Sequence, residues 1–231
     1  APELKKKERE NRLTKRIEAD KKYQEAKELG LMEDARKYAQ GINKLDEKMI
    51  EEAKELIALF GFPVINAPSE GEAQAAHLVK KSLVFASASQ DFDSLLFGAK
   101  YLIRNVSVSS RRKVAGTSTY REIPVEYYDL EKNLKRLNIN QEELIIIAVL
   151  CGTDFNPGGI KGIGPKKAIK LVKEYRGRFD ELFKTLDWFE YFNYSWYDVI
   201  NTFTKMPVTD VKDVEFKDVD KEAITNYLKT K

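Results

Sequence analysis

The sequence predicts an α/β fold, and three observations predict it. Short apolar runs at Phe62–Asn66, Leu83–Ala88 and Tyr101–Val106 read as strands. A helix-patterned stretch separates the first two, and from Pro124 onward the apolar spacing turns helical. Strand, helix, strand at this spacing argues for a parallel sheet with helices packed on it. A chain of 231 residues can bury a proper core, in one domain or in one domain with an appendage.

Taken in order, residues 3–59 read as two or three charged helices punctuated by Gly30 and Gly41. Their clearest amphipathic stripe is Met49, Ala53, Leu56, Ile57 and Phe60. The basic stretch Lys5, Lys6, Lys7, Arg9, Arg12, Lys15, Arg16, Lys21, Lys22 has few apolar residues and is expected to be mobile or to order on binding. Ala67-Pro68-Ser69 closes the first strand, and the helix after it turns Ala73, Ala76, Leu78 and Val79 inward. Ser107–Ile123 holds turn and basic residues, Arg111, Arg112 and Lys113 among them, and reads as a hairpin or loop. Helices are predicted over Val125–Leu137, Gln141–Cys151, Pro165–Tyr175 and Phe179–Leu186. An aromatic tail follows (Trp188–Tyr197), expected to be core or a packing lid, then an irregular linker over Val208–Asp220 and a last helix over Lys221–Leu228. By character the chain divides into a helical part (1–60), an α/β core (61–150), a helix–hairpin–helix segment (151–186) and a C-terminal helical and aromatic region (187–231). Three strands make a thin sheet, so either the sheet is small or further strands come from a longer chain.

Composition narrows the chemistry. Charged residues make up 33% of the chain, yet the formal net charge is only +3, so distribution matters more than balance. The single cysteine, Cys151, excludes an internal disulfide and a cysteine-based zinc site. It ends an apolar helix, reads as a small core residue and suits a reducing interior, cytoplasm or nucleoid. The single histidine, His77, has no partner for zinc and no recognisable nucleophile motif beside it. No apolar run approaches the roughly 20 residues of a membrane span, and no membrane partner is expected.

Five carboxylates stand at the edges of apolar segments: Glu70, Glu72, Asp91, Asp93 and Asp154. Gathered in one cleft at about 5 Å and an effective dielectric near 20, each like-charged pair costs roughly 3 kcal/mol. Such a cluster needs bound cations or protonated members, which points to hard divalent metals and then to phosphate chemistry. Each pair also has a plainer reading. Ser69 with Glu72 fits a capping box, and Glu70 favours a helix N-terminus. Asp91 and Asp93 fit an N-cap and first-turn acid of a helix beginning near Ser94. Both pairs nevertheless follow strand ends, where open parallel sheets collect ligands. After Asp154, Asn156-Pro157-Gly158-Gly159 turns the chain and Gly162-Ile163-Gly164-Pro165-Lys166-Lys167 opens a helix, a pattern that presents backbone N–H groups to phosphate. An ordinary packing corner is the alternative there.

These motifs resemble the flap endonucleases of archaeal type, within the structure-specific 5′ nuclease superfamily. The resemblance runs from Leu4 through Lys184 and more weakly to Leu228, strongest at Ala67–Ala73, Ala86–Gly98, Arg104–Gly116 and Gly152–Ala168. It implies a nuclease core of the PIN or 5′-nuclease kind, a charged helical arch over Lys5–Met49 and a helix–two-turn–helix segment on downstream duplex. By resemblance, Glu70 and Glu72 serve one Mg²⁺ ion and Asp91, Asp93 and Asp154 a second, with Mn²⁺ able to substitute. Lys5 and Arg12 match the family's basic catalytic pair near the scissile phosphate. Glu70, Gly152, Asp154, Gly162, Gly164, Lys166, Lys167, Arg111 and Arg112 fall against DNA, with K⁺ at the turn in some members.

The activity so implied is endonucleolytic cleavage at a 5′ flap on branched DNA, with 5′→3′ exonuclease action, in replication and repair. The family carries two further metal-binding aspartates before the position of Ala1, and a tail for a sliding clamp beyond Lys231. Neither lies within this sequence, so a non-catalytic DNA-binding module of the same family is the alternative. A structural partner of the replication machinery, its acids acting only as caps, is the third reading.

Overall fold

Two compact units are built from interleaved stretches of chain: Asn66–Lys212 with the residues up to Leu4 form one, and Lys5–Ile65 with Asp213–Lys231 the other. The computed structural model describes residues 2–42, 45–106, 111–114, 117 and 119–230, with backbone alone for Arg112 and Lys113.

The second unit is helical. Helix α1 (Lys6–Glu28) buries only Ala26, as its charge all round requires. A left-handed Gly30 turns the chain into α2 (Met32–Ile42), and the Leu31 amide closes the turn on the Ala26 carbonyl at 2.8 Å. Gly41 does not punctuate the helices as expected; it lies in the last turn of α2. A Cβ there would stand 3.0 Å from the Ala19 Cβ, so its smallness serves close packing on α1. In α3 (Glu47–Leu59), Asp46 caps the Met49 amide at 2.7 Å. The predicted stripe stays open on this helix: Met49, Ile57 and Phe60 are exposed, and α3 buries no residue fully.

The predicted strand at Phe62–Asn66 does not form. A strand needs a neighbour to take its amides and carbonyls. Here the Gly61 carbonyl takes the Lys217 amide at 2.9 Å, and the Phe62 ring meets Phe216 edge to face.

In the first unit, α4 (Gly71–Lys80) buries Ala73, Ala76, Leu78 and Val79 as predicted. Strand β1 is only Ser87–Ala88, followed by α5 (Asp93–Leu96) and β2 (Tyr101–Arg104). Strands β3 (Arg111–Lys113) and β4 (Tyr120–Glu122) pair antiparallel, so of the two readings for this stretch, hairpin or loop, the hairpin holds. Then β5 (Glu126–Asp129) lies where a helix was predicted. Tyr127 and Tyr128 favour the pleated surface, and Asp129 starts α6 (Leu130–Leu137) by capping the Lys132 amide at 3.0 Å. The main sheet runs β1-β2-β5 and is mixed, not parallel: Ser87 pairs with Leu102 in parallel, Ile103 with Tyr127 antiparallel. Among the described residues no helix lies between β2 and β5, in keeping with their antiparallel pairing.

The core lies around α7 (Gln141–Cys151), in which Ile145, Ile146, Val149 and Leu150 are all but inaccessible. Onto it pack α4, α5, α8 (Pro165–Glu174), α9 (Phe179–Thr185), α10 (Trp188–Tyr191) and α11 (Trp196–Thr204). Each buried aliphatic of this set contributes roughly 1.5–3 kcal/mol. Asn140 and Glu143 form a reciprocal capping box at the start of α7, and the buried Glu143 carboxylate takes Arg176 from the end of α8. The last helix, α12 (Lys221–Lys229), belongs to the other unit, where Tyr227 donates to the Glu52 carbonyl.

Candidate metal centre and nucleic-acid interface

Glu70 is the N-cap residue of α4 yet makes no side-chain cap bond, and Glu72 sits in the first turn. The Glu72 carboxylate reaches out of its own helix, one oxygen accepting from the Ser89 hydroxyl and the other from Ser94. The capping box expected of Ser69 and Glu72 is therefore not what holds Glu72. Ser94 has no exposed surface and also contacts the buried Ser87 hydroxyl at 2.8 Å. Ser89 takes the Asp91 amide at 3.1 Å. A serine network thus joins α4 to the loop that carries Asp91 and Asp93. The N-cap residue of α5 is Phe92, so Asp91 does not cap that helix.

Arg104 fixes the same loop from β2. Its Nε donates to the Gln90 carbonyl at 2.9 Å, one terminal nitrogen pairs with Glu126 at 3.0 Å, and the guanidinium lies 4.3 Å from the Phe92 ring centre. Neither the serines nor Arg104 stood out in the sequence. The alternation Ser87-Ala88-Ser89 at a strand end was the available signal for the former.

Asp154 is half-buried in a tightly built loop after α7. Asn156 is fully buried: its amide donates to the Val149 carbonyl at 2.7 Å, and its oxygen accepts from the Thr153 amide and hydroxyl. Phe155 plugs the core beneath, its ring 5.0 Å from that of Phe203, and its carbonyl takes the Tyr194 hydroxyl. Gly152 and Gly159 pass backbone against backbone. A Cβ on Gly152 would meet the Gly159 nitrogen at 2.7 Å, and one on Gly159 the Cys151 carbonyl carbon at 2.4 Å, both at positive φ. Gly152, a predicted DNA contact, is thus required first by this crossing.

Ile163 is buried and anchors the following turn, while Gly162 and Gly164 leave open space above their backbones. Gly164 caps α8 without a side chain and Pro165 opens it, so the amides of Lys166 and Lys167 fall in the first turn, where no intrahelical acceptor exists. Both lysines are exposed. This is an anion-ready helix end with two cations beside it. Arg111 lies on β3 opposite Glu122, and the Arg112 side chain falls outside the described residues. Lys5 and Arg12 belong to the other unit: Lys5 is half-buried at the start of α1, and Arg12 donates from Nε to Glu8 at 2.9 Å.

The donors in the first unit are all carboxylate oxygens, the chemistry that hard cations take. Among the described residues, no three His, Cys, Asp or Glu side chains close into a cage for an ion. Mg²⁺ does not need one, since it keeps several waters and binds through one or two carboxylates together with substrate phosphate. The oxygen chemistry of these side chains therefore suits that ion. Among the described residues no helix is long and apolar enough to cross a membrane.

The family model described as XPG I-region matches residues 61–154, which contain all five carboxylates. Flap endonuclease 1 of Pyrococcus furiosus is 47% identical over 98% of this chain and 65% of its own length. That of Nitrosopumilus maritimus is 43% identical over 98% of this chain and 66% of its own. The chain spans just under two thirds of the curated relatives it matches. Among solved structures, the flap endonuclease-1 from Methanococcus jannaschii superposes with a TM-score of 0.66 at 38% identity, covering 85% of this chain and 56% of that one. The catalytic core of Rad2 in complex with DNA substrate gives 0.66 at 26% identity, over 100% of this chain and 71% of that one.

Proposed function

We propose that the chain belongs to the flap endonuclease family and supplies the carboxylate-bearing core of a nuclease that hydrolyses a phosphodiester near the base of a 5′ flap. The same site would act as a 5′→3′ exonuclease. The observation that supports this most is the seating of Glu72 among the serines that flank Asp91 and Asp93: segments about 20 residues apart share one polar site. A capping role would have kept Glu72 on its own helix.

In this reading Glu70, Glu72, Asp91, Asp93 and Asp154 hold two magnesium ions, which when bound supply Lewis-acid activation of water and neutralise phosphate charge. The serines and Arg104 keep the Asp91–Asp93 loop in place before substrate arrives. Lys166, Lys167 and the open amides around Gly162–Lys167 hold duplex backbone without reading bases, and K⁺ would seat at the same turn. Arg111 and Arg112 on the hairpin add backbone contacts. Lys5 and Arg12 contribute positive charge where the transition state gains negative charge. Junction shape, not base sequence, sets specificity. A sliding clamp is the expected partner of the full-length protein, and 151–186 is the DNA-holding segment.

A labelled flap duplex incubated with the chain in Mg²⁺, then in EDTA, tests the reading. Metal-dependent cutting at the junction is expected. Binding indifferent to metal and without cutting would leave a DNA-binding module, and no retention on DNA at low salt would leave neither.

A further inference from the structure

The aromatic tail takes no part in the reading above, yet it builds a pocket of its own. Asp180, Phe183, Lys184, Asp187, Trp188, Phe189, Glu190 and Trp196 line an open depression of about 410 Å³ at the junction of α9, α10 and α11. Phe183 and Trp196 stack face to face, ring centres 4.5 Å apart at 9°, and Trp188 meets Phe183 edge-on at 5.3 Å. The Trp188 indole N–H is bound to the Tyr194 carbonyl, which fixes its ring. Phe183 and Trp188 are buried and back the pocket, Trp196 is partly exposed, and Phe189 stands 74% exposed at the rim.

Charge at the rim is one-sided. Three carboxylates, Asp180, Asp187 and Glu190, face one ammonium, Lys184, for a net charge of −2. Asp187 holds the N-cap position of α10 in the left-handed region, yet its side chain makes no cap bond. Among the described residues no hydrogen bond or ion pair engages the three carboxylates. A partly exposed indole beside three exposed carboxylates attracts a cation and repels a phosphate strand.

We propose that this pocket is a docking site for an arginine side chain presented by a basic, partly apolar segment of another protein. A guanidinium is planar, stacks on an indole such as the partly exposed Trp196, and pairs with carboxylates through two parallel bonds, so it uses that ring and the rim together. The exposed Phe189 gives an apolar neighbour in the same segment a contact outside the depression. A small free cation would leave that contact unused.

The chain has two tryptophans, and both line this pocket, so intrinsic fluorescence reports on it directly. The peptide acetyl-Leu-Arg-Leu-Arg-amide is titrated into the full chain, with the lysine and serine counterparts and spermidine run in parallel. Saturable change is expected with the arginine peptide, several-fold weaker response with lysine, and none with serine. Asp187→Asn with Glu190→Gln should weaken binding about tenfold or more, and Phe189→Ala several-fold, with unchanged circular dichroism. Flap cleavage is expected to be unaffected in these variants, so the pocket and the nuclease reading stand or fall separately. No saturable response, equal affinity for spermidine, displacement of the peptide by duplex DNA, or full binding by the double variant would each overturn the proposal.

Discussion

Ser94, with no exposed surface, donates its hydroxyl to the carboxylate of Glu72, 22 residues earlier in the chain. This bond and its counterpart from Ser89 tie the first turn of α4 to the acidic loop after β1. Removing it leaves the Ser87 hydroxyl short of a partner as well. Ser94→Ala is expected to lower stability by about 1–2 kcal/mol, read by urea unfolding, and to raise the Mg²⁺ concentration needed for half-maximal cleavage. An unchanged Mg²⁺ dependence would mean that the serine serves packing only.

Asp91→Ala and Asp154→Ala address the carboxylates themselves. Each is expected to reduce flap cleavage by roughly 10²–10³-fold or more, with DNA affinity equal or improved because a repulsive charge is gone. A large loss of binding, measured by gel shift in Ca²⁺ or EDTA, would contradict the metal role.

Asn156 should be costly to replace, since it satisfies itself and Thr153 inside a buried loop. Asn156→Ala leaves the Val149 carbonyl and the Thr153 groups without it, and about 2–4 kcal/mol of destabilisation is expected. Thermal unfolding checks the size. A folded variant at low temperature should still lose cleavage, because Asp154 stands on the same loop.

Lys166→Ala with Lys167→Ala should weaken duplex binding alike for all sequences. The slope of log affinity against log salt should fall by about one per lysine. Weakening confined to one base sequence would argue against backbone contact at the start of α8.

Asp210 provides a pH test independent of catalysis. It accepts from His77 at 3.1 Å and pairs with Lys81 at 3.3 Å, holding the 207–210 stretch on α4, where Gln74 exchanges two bonds with Thr209. The hydrogen bond from His77, and then that from Lys81, holds the Asp210 carboxyl below the ordinary value of 3.8. A lowered carboxyl pKa gives stabilisation that is complete above the ordinary value and disappears as pH falls through the lowered one. Asp210→Asn should therefore melt below the parent protein at neutral pH, with the gap closing only below about pH 4. Equal melting of the parent and the variant at neutral pH would show that the Asp210 contacts add nothing to stability.

Local pattern carried much of the fold. The inward face of α4, the apolar run of α7, the Gly-Pro start of α8 and the β3–β4 hairpin all form where periodicity and turn chemistry place them. Where local pattern misled, a neighbour decided. Phe62–Asn66 has strand composition but no ladder, and Glu126–Asp129 becomes a strand because β2 lies beside it. Helix α11 was missed although Ser195 and Asp198 form a capping box, because aromatic density at Trp188–Tyr197 obscured the 3.6-residue spacing of Val199, Ile200 and Phe203.

The same division runs through the site. The five carboxylates and the glycine-lysine turn are candidates visible in the sequence, because carboxylates at element ends and glycines before a proline are patterns of neighbours along the chain. That Glu72 leaves its own helix for Ser89 and Ser94, that Arg104 clamps the Gln90 carbonyl, and that Asn156 is spent inside its loop were decided by tertiary structure alone. Sequence order fixes which groups a segment offers. Only packing determines which distant hydroxyl or carbonyl is near enough, and dry enough, to claim them.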